Sequence, residues 1–192
     1  DVCNRLLERG HHVRVLTSDH EVEGRPLPID SHVARKLEVH GMYGNPWLSM
    51  PKLYQLEKKN HRALIDEIEA FQPEVVHVWN MGGISKSLLI RLESMNIPLV
   101  YDISDHWIAR SMRADVWLRW WNESKGRSNA VMRTVLKALG VRAKISREVP
   151  TISWDTLQYP RIYFCSGFLK QLTLDKGWAV NHGDVIHCGI ET

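Results

Sequence analysis

The sequence predicts an α/β fold with a mainly parallel sheet, and three observations carry that reading. Short β-branched runs alternate with helical periodicity from end to end, the pattern of strand–helix–strand units. The chain has 192 residues, 44% hydrophobic and 24% charged, a profile that excludes disorder as the main state. No apolar run approaches the ~18 residues of a membrane span, and the opening residues read directly as helix without a signal-peptide pattern.

Residues 2–9 have helical spacing with Val2 and Leu6 inward, and Gly10 stops the helix. His12–Ser18 follows as a strand with Val13, Val15 and Thr17 on one face. Residues 19–32 read as loop, with Gly24, Pro26 and Pro28, and Val33–Val39 as a short strand. Gly41, Gly44, Pro46 and Pro51 mark turns. Pro51 suits the first turn of a long helix over 52–71. Leu53, Leu56, Leu64, Ile65, Ile68 and Phe71 form its apolar side, and Lys52, Glu57, Lys58, Lys59 and Glu67 are expected on a solvated face. Glu74–Asn80 reads as a buried strand, Gly82–Gly83 as the opening of a helix to about Met95, and Pro98–Ile103 as the next strand. Helices are expected at Val116–Trp121 and Asn129–Leu139, while residues 145–158 fit neither pattern. Arg161–Cys165 is a strand, Ser166–Lys176 a helix stopped at Gly177, and Asp184–Cys188 a final strand.

Charge and cysteine narrow the function classes. Lys and Arg total 25 against 22 Asp and Glu, a net +3 too mild to imply a nucleic-acid partner. Cys3, Cys165 and Cys188 are odd in number and widely spaced, which reads as buried thiols in a reducing cytoplasm. The ten histidines show no metal-ligand spacing, so no metal is expected. The stretch from Trp107 to Arg133 holds six basic residues, two acids and four of the eight tryptophans. It reads as an acceptor-groove lining, as a peripheral contact with an anionic membrane, or as a core-packed helix pair with a solvated basic face.

In parallel α/β sheets the ligand crevice lies beyond the carboxyl ends of the strands. Four places qualify: residues 19–24, Asn80–Ser85, Ser104–Arg110 and Ser166–Gly167. Asp105 and His106 can accept a proton or hold hydroxyl groups there, and Asp105 also suits an N-cap. Asn80, Gly82, Gly83 and Ser85 form either a cradle of exposed N–H groups for a phosphate or hydroxyl, or simply a tight turn. The segment GGISKS lacks phosphate-loop spacing, and no G-x-G-x-x-G is present. His77, in mid-strand, reads as a satisfied buried histidine.

Five segments resemble family 4 glycosyltransferases with the GT-B fold. They are LLERGHHVRVLTS, FQPEVVHVWN, NIPLVYDISDHW, FCSGFLKQLTLDKGW and DVIHCGIET, in family order and spacing. The resemblance covers nearly the whole chain and implies a Rossmann-like three-layer sandwich. Residues 1–192 would form one N-terminal, acceptor-side domain, half of a GT-B enzyme. It further implies a strand upstream of residue 1, central in the sheet, and a C-terminal nucleotide-sugar-binding domain in the same chain. The expected activity is transfer of a sugar from a nucleotide-sugar to a sugar or lipid-linked acceptor, with retention and with no cofactor. The fragment alone is expected to be inactive. Its location is expected to be cytoplasmic, with possible membrane association. Ser104 stands where the family has a His, Asp105 at its Asp, and His106 one position later, so these three are the catalytic candidates. Asn80, Gly82, Gly83, Trp107 and Arg110 are the candidate acceptor-binding residues. A GT-B epimerase or phosphorylase and a non-catalytic α/β sugar-binding domain are the rival readings.

Overall fold

A computed structural model describes residues 2–21, 30–123, 127–187 and 189. Gly24, Pro26, Pro28, Lys125 and Cys188 lie outside the described residues. The strands are β1 (Val15–Ser18), β2 (Val33–Leu37), β3 (Val76–Val78), β4 (Leu99–Ile103), β5 (Ile162–Phe164) and β6 (Asp184–Val185). The helices are α1 (Val2–Glu8), α2 (Met50–Phe71), α3 (Ser87–Glu93), α4 (Val116–Asn122), α5 (Arg127–Ala138), α6 (Val141–Glu148) and α7 (Gly167–Asp175). Every strand pairing among the described residues is parallel, as the α/β reading requires. The strands form two sheets, β1–β2 and β3–β4–β5–β6.

The four-stranded sheet has unequal faces. Leu99, Tyr101 and Ile103 of β4 pair in register with Val76 and Val78 on one side and Ile162 and Phe164 on the other. Parallel partners point the same way, so these residues make one apolar face, and all but Val76 are buried. The opposite face carries His77, Asp102 and Tyr163, where the Tyr163 hydroxyl bridges His77 Nε2 at 3.0 Å and Asp102 Oδ2 at 2.7 Å. The buried-strand expectation for Glu74–Asn80 is therefore corrected. Only Val76–Val78 is strand, it is the edge of its sheet, and Val75 and Trp79 are exposed. His77 is exposed too, with a hydrogen-bond partner but not buried.

Helix α2 begins with Pro in its first turn and ends at Gln72, whose left-handed backbone (φ 51°) precedes Pro73. A residue before proline is disfavoured in the helical region, which fixes that stop. Leu53, Leu56, Ala63 and Leu64 enter the core. The solvated face predicted for α2 fails at two positions: Glu57 is fully buried and Glu67 nearly so. Glu67 accepts from Arg14 Nε at 2.7 Å and Lys36 Nζ at 2.6 Å, which ties β1 and β2 to the helix. Those cations hold its carboxyl down to about 2. Asn60 accepts from the Glu38 N–H at 2.8 Å and donates to the Glu38 carbonyl at 2.9 Å, so a side chain completes the main-chain pairing after β2.

Other boundaries moved. α1 buries no side chain, and Val2 is exposed where an inward position was expected. The helix expected from Gly82 starts at Ser87, because Asn80 and Gly83 build a turn first. α6 and a 3-10 turn at Trp154–Thr156 occupy the unassigned region. Cys3 and Cys165 are half-buried free thiols, more open than expected.

Candidate functional site

The turns after β3 and β4 meet. Asn80 Nδ2 donates to Asp105 Oδ2 at 2.5 Å, and Asn80 Oδ1 accepts from the Gly82 N–H at 2.7 Å. The second oxygen, Asp105 Oδ1, accepts from the Trp107 N–H at 2.8 Å. Asp105 thus starts the wide π-helical turn Trp107–Ser111 while its carboxylate stays half-exposed at the rim. The N-cap expected at Asp105 is corrected: the cap position belongs to His106, which makes no side-chain cap bond, and Asp105 instead closes a turn onto the Trp107 N–H.

Beside the bridge lies a crevice of about 300 Å³ lined by Thr17, Ser18, His20, Tyr43, Asn80, Gly82 and Ile84. It lies past the carboxyl ends of β1 and β3, as the strand-end rule predicts. A larger groove of about 430 Å³ runs along Arg35, Lys36, Lys59 and Arg62 with Asp19 and Asp66, away from the Asn80–Asp105 bridge. The smaller crevice is the better site because the turn residues converge on it.

Tyr43 was not legible as a site residue, since residues 41–51 read only as turns. Its backbone is left-handed (φ 53°), a strained state for an aromatic residue. Its ring lies over the glycine turn: a β-carbon on Gly82 would stand 2.6 Å from the Tyr43 hydroxyl, and one on Gly83 would stand 3.2 Å from the ring. Gly83 also has φ 72°, so close approach requires the glycine at 82, and close approach and backbone together require the one at 83. The Tyr43 ring centroid is 5.4 Å from that of His20, and the ring remains half-exposed to the crevice. An aromatic residue framed by Gly41 and Gly44 was the available signal.

The remaining candidates divide. Ser104 is exposed, but its hydroxyl donates to Asp102, joining the polar row of Asp102, Tyr163 and His77 and not the Asn80–Asp105 pair. His106 is half-buried, and its carbonyl accepts from the Arg110 N–H at 2.9 Å across the wide turn. Arg110 is exposed. Trp107 is corrected: at 4% exposure its ring packs in the core and offers no face to a ligand. Trp117 and Trp121 are equally buried and Trp120 is half-buried against the core, so of the three readings of this stretch the core-packed one describes the placement of its tryptophans.

Beneath the glycine turn is a buried charged layer. Lys86 Nζ donates to the carbonyls of Met81 at 3.1 Å and Ile84 at 3.0 Å, holding the turn from below. Burial pushes the Lys86 ammonium down, against Asp115 and Glu57, which favour its charged form. Burial drives the Glu57 carboxyl well above its usual range, and the nearby Asp115 adds to this. Asp115 accepts from the Lys86 N–H at 2.7 Å and the Leu118 N–H at 2.8 Å. Among the described residues no group of three or more His, Cys, Asp or Glu is arranged to hold a metal ion.

A parallel α/β domain with a polar crevice beyond its strand ends is a Rossmann-like ligand-binding domain. The chain belongs to Glycosyltransferase Family 4, whose family model matches residues 1–192. It is therefore a glycosyltransferase domain, as the five-segment resemblance implied. No curated protein and no solved structure matches the chain.

Proposed function

We propose that this domain supplies the acceptor side of a retaining glycosyltransferase that moves a sugar from a nucleotide-sugar to a sugar or lipid-linked acceptor. The Asn80–Asp105 bridge at the crevice is the observation that carries the reading. The Asn80 amide and the Trp107 N–H fix the Asp105 carboxylate without enclosing it. A fixed carboxylate can accept the hydrogen bond of an acceptor hydroxyl, and it stabilises positive charge developing at an anomeric carbon. Tyr43 and His20 add ring surface on which a sugar can stack.

The same reading places a nucleotide-sugar-binding domain after this one and a further strand before α1. A strand between β1 and β3 would join the two parallel sheets found among the described residues. The test uses the intact enzyme against a panel of nucleotide-sugars, with Asp105→Ala beside it. Transfer that falls strongly while the variant unfolds at the parent temperature supports the assignment. Near-normal turnover overturns the Asp105 role, and absence of transfer with every donor favours a sugar-binding domain.

A further inference from the structure

We propose that Lys86 is a positioning residue for sugar transfer: its buried amino group fixes the glycine turn that aims Asn80 at Asp105. This inference rests on the proposed function and adds a residue to its machinery. Lys86 is 4% exposed, so it acts through other residues and not by touching a ligand. Its Nζ donates to the Met81 carbonyl at 3.1 Å and to the Ile84 carbonyl at 3.0 Å. Those two carbonyls flank Gly82 and Gly83, the residue type with the most backbone freedom. The turn's own main-chain bond, from the Ile84 N–H to the Met81 carbonyl, is long at 3.3 Å. One side chain thus ties both ends of the glycine pair.

The Met81 carbonyl and the Gly82 N–H belong to one planar trans peptide, so they point in opposite directions. Lys86 holds the carbonyl, and the N–H on the far side meets Asn80 Oδ1 at 2.7 Å. With Oδ1 taken, Asn80 Nδ2 is turned to Asp105 Oδ2 at 2.5 Å. Freed from Lys86, that peptide can rotate beside glycine, its N–H leaves Asn80, and the amide loses its aim. Lys86 is itself held from below. Its N–H donates to Asp115 Oδ2 at 2.7 Å, and Asp115 caps α4. An apolar side chain would fill the same space without the cost of burying an amine, so what the amine adds is direction.

The test measures kcat and KM of the intact enzyme carrying Lys86→Met, Lys86→Arg or Asn80→Ala, with hydrogen–deuterium exchange across residues 80–86. Lys86→Met should lower kcat about fivefold and leave the KM for the nucleotide-sugar unchanged. Exchange across 80–86 should speed about tenfold. Lys86→Arg keeps the donors and should recover most of both. In the Asn80→Ala background Lys86→Met should cost no further turnover, because both residues act through one amide. If Lys86→Met does not fold, Lys86→Gln takes its place in the same cycle. Losses that multiply in the double variant, an unchanged kcat, or exchange equal to the parent's overturns the proposal. Near-normal turnover of Asp105→Ala is a separate result. It overturns the reading beneath, while exchange across 80–86 reports the clamp without any turnover.

Discussion

Asp105 and Asp115 each accept one hydrogen bond from the segment they begin and one from the loop that follows β3. Asp105 takes the Trp107 N–H and the Asn80 amide, and Asp115 takes the Leu118 N–H and the Lys86 N–H. Asp105 stands half-exposed at the rim of the crevice, whereas Asp115 is 5% exposed beneath the same loop. One loop is therefore held from two sides by the same device. Only the upper carboxylate keeps access to a ligand. The lower one has spent both bonds on buried N–H groups, and its charge faces a buried ammonium. Similar local chemistry thus separates, through burial, into the exposed carboxylate proposed to meet substrate and a buried structural one.

Substituting the two in turn gives the sharpest contrast. Asp105→Ala should lower sugar transfer in the intact enzyme by about 100-fold or more. Its urea midpoint should move little, because the exposed Asn80 can turn its amide to water. Asp115→Ala should do the opposite. It leaves the Lys86 and Leu118 N–H groups buried without acceptors, and stability should drop by about 2–3 kcal/mol in urea unfolding. If Asp115→Ala loses activity at full stability, the division of labour is wrong.

Asn80→Ala tests whether the rim carboxylate needs its orienting amide. Transfer should fall about tenfold with stability changed by under ~1 kcal/mol, since Asn80 is exposed. An unchanged rate would show that Asp105 is positioned by the Trp107 N–H alone.

The smallest effect comes from Glu67, a third fixed carboxylate remote from both. Its folded value of about 2 lies below the ordinary carboxylate range, so its ion pairs add stability above pH ~4.5 and lose it as the pH falls towards 2. Partial exposure of Arg14 and Lys36 limits that contribution to about 1 kcal/mol or less. Urea unfolding at pH 6 and pH 3 should show a smaller drop for Glu67→Gln than for the parent. Equal drops would mean that Arg14 and Lys36 do not bias the carboxyl.

The rim was readable before the fold because strand ends in a parallel sheet are predictable places. Asn80 and Asp105 each follow an apolar β-branched run, and the strand-end rule selects both. The lower half was less readable. Asp115 gives no local sign of burial, whereas Glu57 stands four residues after Leu53 and seven before Leu64, on the leucine side of α2, so its burial was legible in the spacing and its neighbour Lys86 was not. Trp107 misled for a related reason, because the π-helical turn it opens rotates the indole inward. Tyr43 escaped notice because its position depends on a left-handed residue that Gly41 and Gly44 make feasible without announcing. The edge position of β3 depends on pairing with distant segments, which no local pattern of Glu74–Asn80 encodes.

The Asn60 side chain has one more consequence. By gripping the N–H and carbonyl of Glu38 it pins one root of the segment that carries Tyr43, and the Leu53 N–H bond to the Ser49 carbonyl pins the other. Between those pins Val39 and His40 are buried and Leu48 packs on the core, so Met42, Tyr43 and Trp47 are held out as an exposed tip, and under the proposed function the rings of that tip are where a different acceptor would be accommodated while β2 and α2 stay in register.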